Sequence, residues 1–404
     1  MLKKLYQTSV KALATSNIGT WGIIDDQSIA VARELMNTPL RRDRMQWVKT
    51  ATRDAISQFA RGVGDDNPLW HDLDYAKKTR WKGLIAPPSF LYAVDATIVA
   101  PKLPGVQWIY AGTKWKWLDV IAQNETFDVS AKLVSMEEKT GRTFKRWIMQ
   151  IGEIKYYNEA GGLLSVAEGR VARTPRAQER KQKKTTNTPK EKTAKQTFEQ
   201  TSINKRRGDQ PRLWENIEVG ELVGPDLHSL TLTDIYGWYV GAQGALHYGG
   251  AHADAVRYRH RHDDFSINTK TGAKDSAARG HFSEGEGNKV GMGGAYDVGL
   301  HRISWIVALV TNWMGDDGFL AELDVSILKP NLVGDLTNIS GYVSKIWEDS
   351  HCFLRIEIEA ENQNKQITAA GYAVVALPSE RKGAVQLPLF NGNVERFNDF
   401  PSIN

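Results

Sequence analysis

Residues 299–330 read GLHRISWIVALVTNWMGDDGFLAELDVSILKP, an apolar run of helical length that turns at Gly-Asp-Asp-Gly directly into a strand-like segment. Three further strand patterns follow: DLTNISGYVSKIW (335–347), CFLRIEIEAE (352–361) and, after the turn NQNK, ITAAGYAVVALP (367–378). In the second of these, Leu354, Ile356 and Ile358 alternate with Arg355, Glu357 and Glu359. Alternation of that kind gives a sheet one wet face and one face packed on an apolar partner, and the helix of HRISWIVALV supplies the partner. The expected fold class is therefore α+β, a long helix wrapped by an antiparallel β-sheet.

The same order occurs earlier in the chain. TRDAISQF (52–59) has apolar residues at helix spacing, with Thr52 or Asp54 as its cap, and PPSFLYAVDATIVA (87–100) predicts a second helix opened by prolines. FDVSAKLVSM, KRWIMQIGEIKYY and LLSVAEGRVAR then read as strands, with NEAGG turning between the last two. In the later half the short helix is LTLTDIYGWYV (230–240). A helix–loop–helix–strands order present twice predicts an internal duplication. Laying the halves together without gaps puts Asp54 on Asp234, Phe59 on Tyr239 and Asp65 on Ala245, whereas Asn158 meets Asn362 only if the second half carries an insertion. That insertion is the polar, glycine-rich stretch 257–294, of a length that is usually functional or disordered.

Composition limits the alternatives. The chain has 404 residues, enough for two domains, with 41% hydrophobic and 25% charged residues. Segment 176–196, RAQERKQKKTTNTPKEKTAKQ, holds much of the basic excess and has no aromatic residue to stack on bases, so it reads as a solvated linker and not a nucleic-acid contact. The expected organisation is an N-terminal extension (1–43), a first domain (44–175), a basic flexible linker (176–210), a second domain (211–380) and a tail (381–404). No run of eighteen or more apolar residues predicts a membrane span. The basic N-terminus lacks the apolar core of a secretory signal, and the single cysteine, Cys352, sits in a strand pattern and suits a reducing, cytoplasmic setting.

At GVGDDNPLWHD (62–72) the chain resembles the hydratase motif of MaoC-like acyl dehydratases and type-2 enoyl-CoA hydratases, Gly-Asp-x-Asn-Pro-apolar-His-x-Asp. Gly64, Asp65, Asn67, Pro68, Leu69 and Asp72 match, Trp70 stands at the histidine position, and His71 follows it. WKGLIAPPSFL (81–91) is similar to the fatty-acid-synthase-type dehydratase domains of that family. VTNWMGDDGFLAELDVSILKPNLVGDLTNISGYV (310–343) resembles the end of the family's helix and its following strands. The resemblance spans roughly Arg44 to Pro378 and implies a double hotdog, two such domains paired within the chain. It also implies a lyase that reversibly hydrates a 2-enoyl or dehydrates a 3-hydroxyacyl thioester, with coenzyme A as part of the substrate and no other cofactor.

Carried over residue by residue, the resemblance gives Asp65 the water-holding or acid–base role, Asn67 the support of the loop, and Gly83 the region of a backbone donor to the thioester carbonyl. His71 or His247 then completes the site across the two halves. Dehydration needs a base at C2, an acid for the departing hydroxyl and a donor for the enolate oxygen, roles that carboxylate, imidazole and helix-end amides fill. His252 and Tyr296 are further substrate-binding candidates. Arg302 lies among apolar helical neighbours and needs a specific partner, either Asp297 or an anionic ligand. Arg257 and Arg259 share one face if their segment is extended, and such a face suits the phosphates of coenzyme A. The histidines near 247–262 have neither cysteine nor HExxH company and predict no metal. Thioester hydrolysis on the same scaffold, or a non-catalytic acyl-binding or partner-dependent subunit, stands beside the lyase reading. Exposed sheet edges favour self-association into homo-oligomers.

Overall fold

The computed structural model describes residues 22–42, 48–141, 144–175, 208, 210–243, 253–261, 267–268, 271–276 and 278–389. Helix α1 (Arg53–Val63) begins where the Thr52 side chain accepts from the Ala55 amide and ends at Gly64, whose φ of 87° closes it. Ile56, Phe59, Ala60 and Val63 form its buried stripe. The later helices are α2 (Leu232–Tyr236), opened by a Thr231–Asp234 capping box, α3 (Ala253–Arg261) and α4 (Gly299–Met314). Helix α4 is buried on all sides, and its Ser304 and Thr311 hydroxyls are satisfied by the carbonyls of Leu300 and Ala308.

One ten-stranded antiparallel sheet encloses this helical layer. Its strands are β1 (Pro39–Leu40), β2 (Gln107–Trp117), β3 (Phe127–Lys139), β4 (Trp147–Asn158), β5 (Leu163–Thr174), β6 (Leu222–Ser229), β7 (Phe319–Ile327), β8 (Leu336–Glu348), β9 (Cys352–Asn362) and β10 (Ile367–Leu377). The order across the sheet is β1-β3-β4-β5-β2-β7-β10-β9-β8-β6, so five strands of each half meet at a single β2–β7 seam. There Trp115 lies opposite Leu323 and Lys116 opposite Glu322. On the outer face Lys114 reaches Glu322 at 3.2 Å and Arg170 reaches Asp324 at 2.7 Å. Gly112, at φ 136°, has no room for a side chain, since a Cβ would come within 2.2 Å of the Val325 carbonyl oxygen. On the inner face Trp115 stacks on Trp117 with centroids 5.3 Å apart. The chain is thus two antiparallel half-sheets fused into one and curled around buried helices, which is a double hotdog. Cys352 is buried in β9.

The halves differ in their central helix. The long helix expected over 87–100 is confined to Pro88–Val94, a 3-10 turn running into one α-turn. It stops because Asp95 takes an extended conformation and binds the Arg42 guanidinium through two bonds of 2.6 and 2.7 Å. Thr97 follows with φ 56° and donates its amide to the same carboxylate. Strands β1, β2 and β6 and the helix Asp26–Arg33 are absent from the sequence-based expectation; the other seven strands of the sheet fall where the alternation places them.

Candidate functional site

The motif loop follows α1 directly. Asn67 caps the short helix Pro68–His71, its side-chain oxygen accepting from the Leu69 amide. Asp65 is buried: one carboxylate oxygen accepts from the Asn67 amide at 3.1 Å, the other from the Trp70 indole N–H at 3.0 Å. Burial outweighs these two bonds and raises the Asp65 pKa to about 6. The His71 ring does not meet that carboxylate. Its Nε2 pairs with the Asp65 backbone oxygen at 2.9 Å and its Nδ1 with Ser57 Oγ at 3.2 Å. Trp70 therefore takes both the place of the motif's histidine and the bond to its aspartate, and the expected Asp65–His71 acid–base pair is not assembled. The cleft beside this loop, lined by Asn67, Trp70, Trp81 and Trp117, has a volume of only about 40 Å³.

A much larger cavity, about 560 Å³, lies where the two halves meet. The first half lines it with Ile98, Tyr110 and Ala111 and, from β4, Trp147 and Met149. The second half contributes Tyr239, Gln243, His281, Tyr296 and the residues from Asp297 to Leu300, together with Ile327 at the end of β7 and Lys329. A concave, mostly apolar space of this size with a few convergent polar groups is the usual form of a small-molecule site. Its polar end is built by the segment read as an insertion. The 3-10 turn Arg279–His281 carries the imidazole, and Arg279 is fixed to Glu286 at 2.7 Å. Gly280 packs closely here, since a Cβ would lie 3.2 Å from the Tyr296 ring.

His281 pairs through Nδ1 with the Tyr296 carbonyl at 2.9 Å, and its ring packs 4.1 Å from the Tyr296 ring. Burial, opposed by that bond and by Asp297, lowers its pKa. The imidazole is accordingly neutral at pH 7, its Nδ1–H is committed to the carbonyl, and Nε2 is left as an acceptor. The same end of the cavity receives the N-terminus of α4. Val298 provides no capping side chain, so the Gly299 and Leu300 amides have no acceptor among the described residues. The N-terminus of a 16-residue helix, with uncapped N–H groups and the positive end of its dipole, thus lies at the cavity.

Of the remaining expected residues, Tyr296 and Asp297 line the cavity. Arg302 does not: it is wholly buried, bound twice to Asp297 and to the carbonyls of Lys329 and Thr368. Its partner is the one inside the fold, and no edge of the guanidinium remains for a ligand. Gly83 lies on the loop after Trp81 and lines neither cavity. Arg257 and Arg259 sit on α3, where helical geometry turns residues two apart by about 200°, so they do not share the face expected of an extended segment. His247 and His252 lie outside the described residues. Sequence reasoning missed His281, whose only local signal is a histidine after glycine inside a glycine-rich insertion. It also missed His301, buried between Trp238 and Trp305, which burial holds at a pKa of about 3. Among the described residues no cluster of His, Cys, Asp and Glu is arranged to hold a metal ion, and no helix is long and apolar enough to cross a membrane.

Comparison with known proteins agrees with this architecture. Residues 44–164 match the model of the FAS1-like dehydratase domain region. A solved MaoC-like dehydratase superposes with a TM-score of 0.60 at 12% identity, covering 85% of this chain and 98% of its own. A MaoC domain protein from Chloroflexus aurantiacus J-10-fl gives 0.50 at 13% identity, covering 85% and 94%. Among curated proteins, a UPF0336 protein of Parafrankia sp. (strain EAN1pec) is 51% identical over 39 residues, which is 10% of this chain and 26% of that protein. The chain thus spans about a quarter of the length of that relative. Residues 44–164 are thus similar to the FAS1-like dehydratase domain region, and the whole carries the double hotdog fold seen in the MaoC-like dehydratases.

Proposed function

We propose that the chain is a lyase that reversibly hydrates 2-enoyl thioesters and dehydrates 3-hydroxyacyl thioesters, coenzyme A being the thiol carrier, and that the reaction takes place in the cavity between the halves. The observation that carries this reading is the meeting, at one end of an apolar cavity of about 560 Å³, of a neutral imidazole and the uncapped N-terminus of α4. The acyl chain lies along Tyr110, Trp147 and Met149, and the thioester carbonyl faces the Gly299 and Leu300 amides. Those amides stabilise negative charge on the carbonyl oxygen as the C2–H bond breaks. His281 Nε2 takes the C2 proton; the imidazolium returns it to the hydroxyl on C3, which leaves as water while the C2–C3 double bond forms. Hydration is the reverse, with the same imidazole taking a proton from water. The carbonyl of Tyr296, accepting from Nδ1–H, fixes the tautomer and steadies the imidazolium.

Asp65 is left to a structural role here, in contrast to the expectation from its motif. The test is turnover of a series of 2-enoyl-CoA substrates with products separated by chromatography. Formation of 3-hydroxyacyl-CoA, falling about 100-fold or more in kcat in His281→Gln, is the expected result. Release of free coenzyme A in place of the hydrated product would replace this reading with thioester hydrolysis.

A further inference from the structure

Tyr239 stands apart from the groups used above. It belongs to a π-helical segment, Gly237–Ala242, that continues α2, and the Gln243 amide reaches back five residues to the Trp238 carbonyl at 2.9 Å. Wide turns of this kind are rare and concentrate at functional sites. The segment is clamped by α1: a Cβ on Gly62 would lie 2.4 Å from the Ala242 nitrogen and 2.6 Å from the Gly237 oxygen, so backbone packs directly on backbone. The outcome is that Tyr239 and Gln243 both line the cavity. The Tyr239 ring is 5% exposed and meets His281 edge-on with centroids 5.9 Å apart, and Phe282 at 5.4 Å. Its hydroxyl has no hydrogen-bond partner among the described residues, although a buried tyrosine normally finds one.

We propose that the Tyr239 hydroxyl is a specificity-determining group that donates a hydrogen bond to the oxygen on C3 of the 3-hydroxyacyl thioester. This rests on the lyase reading of the cavity and names the group that tells a 3-hydroxyacyl chain from a saturated one. Burial holds the phenol well above its ordinary pKa, so it remains protonated and acts as a donor, never as a second base. No proton leaves it; the proton of the elimination travels through His281. Because the site supplies a donor that only an oxygenated C3 can satisfy, a chain lacking that oxygen leaves the hydroxyl unpaired, and sites built in this way discriminate strongly.

The test is calorimetric binding of two non-turning ligands, a saturated acyl-CoA and a 3-hydroxyacyl thioether analogue of the same length, to the full chain and to Tyr239→Phe. The expected result is a roughly 10-fold weaker affinity of the variant for the hydroxylated ligand with the saturated ligand unchanged. Equal loss for both ligands, no loss for either, or no binding of the hydroxylated ligand by the wild type would overturn the proposal. His281→Gln, assayed in parallel, separates the two readings, since it is expected to lower turnover about 100-fold or more while keeping the wild-type preference for the hydroxylated ligand. Unfolding temperatures of both variants within a few degrees of wild type verify that the differences arise in the site.

Discussion

Two clefts in this molecule occupy comparable places, each beside the first turn of the central helix of one half. At α4 the turn opens with Gly299 and Leu300, which line a cavity of about 560 Å³ and whose amides are left uncapped. At Pro88–Val94 it opens with Pro87 and Pro88, which have no N–H to offer, and the space of about 40 Å³ is filled by Trp70, Trp81 and Trp117. The half with the recognisable hydratase motif thus has the closed cleft, and the half with a degenerate motif has the open one. The difference teaches that a motif's residues are informative only together: once Trp70 replaces histidine, the indole binds Asp65, and what was a pair open to a ligand becomes a buried strut.

The closed cleft can be broken most severely at that strut. Trp70→Ala removes a buried indole and leaves Asp65 without one of its two donors, and is expected to cost about 3–5 kcal/mol in denaturant unfolding. Turnover per folded molecule should hold, because the open cavity is untouched. A fall in kcat larger than the fall in folded fraction would contradict the contrast between the clefts.

Asp65 gives a smaller and more diagnostic effect. Its pKa is near 6 in the fold against an ordinary 3.8, so between those values the folded chain holds a proton that the unfolded chain has released. Its contribution therefore favours the fold at low pH, declines as pH rises from about 4 to about 6, and levels off as a penalty of roughly 2–3 kcal/mol above that. Asp65→Asn removes this pH dependence. The amide keeps only one of the two accepted bonds, so the net gain at pH 8 is expected near 1 kcal/mol. Unfolding free energies measured at pH 5 and pH 8 for both proteins check it; an unchanged difference between the two pH values would show that Asp65 is not the source.

How much of this was legible in the sequence follows the same division. The outer strands could be read because period-two alternation survives wherever one face of a sheet is wet, as in Leu354–Glu359. Strand β2 was not read, because Trp115, Lys116 and Trp117 are all buried at the seam and Gly112 interrupts the pattern for a packing reason visible only in three dimensions. The expected helix over 87–100 fails for a similar reason: its apolar residues are buried as an extended segment once Arg42 captures Asp95. In the site, local sequence favoured Asp65 and His71, which do lie together but bond to their own loop. His281 and Tyr239 stand far apart in the chain, and only the folding of the polar insertion over the first half's sheet brings them to one cavity.

A further expected effect concerns the depth of the open cleft. Trp147→Ala lengthens its apolar end and is expected to shift preference toward longer acyl chains by about 10-fold in kcat/KM, with little change for short ones. A uniform loss over all chain lengths would mean that the acyl group does not lie along β4.

The most direct measurement compares His281→Gln and Asp65→Asn in one assay, the hydration of a single 2-enoyl-CoA at saturating concentration and pH 8. The expected result is a loss of about 100-fold or more in His281→Gln, with Asp65→Asn within about threefold of wild type. The opposite pattern, activity lost with Asp65 and retained without His281, would move the chemistry back to the motif loop and contradict the assignment of the open cavity as the active site.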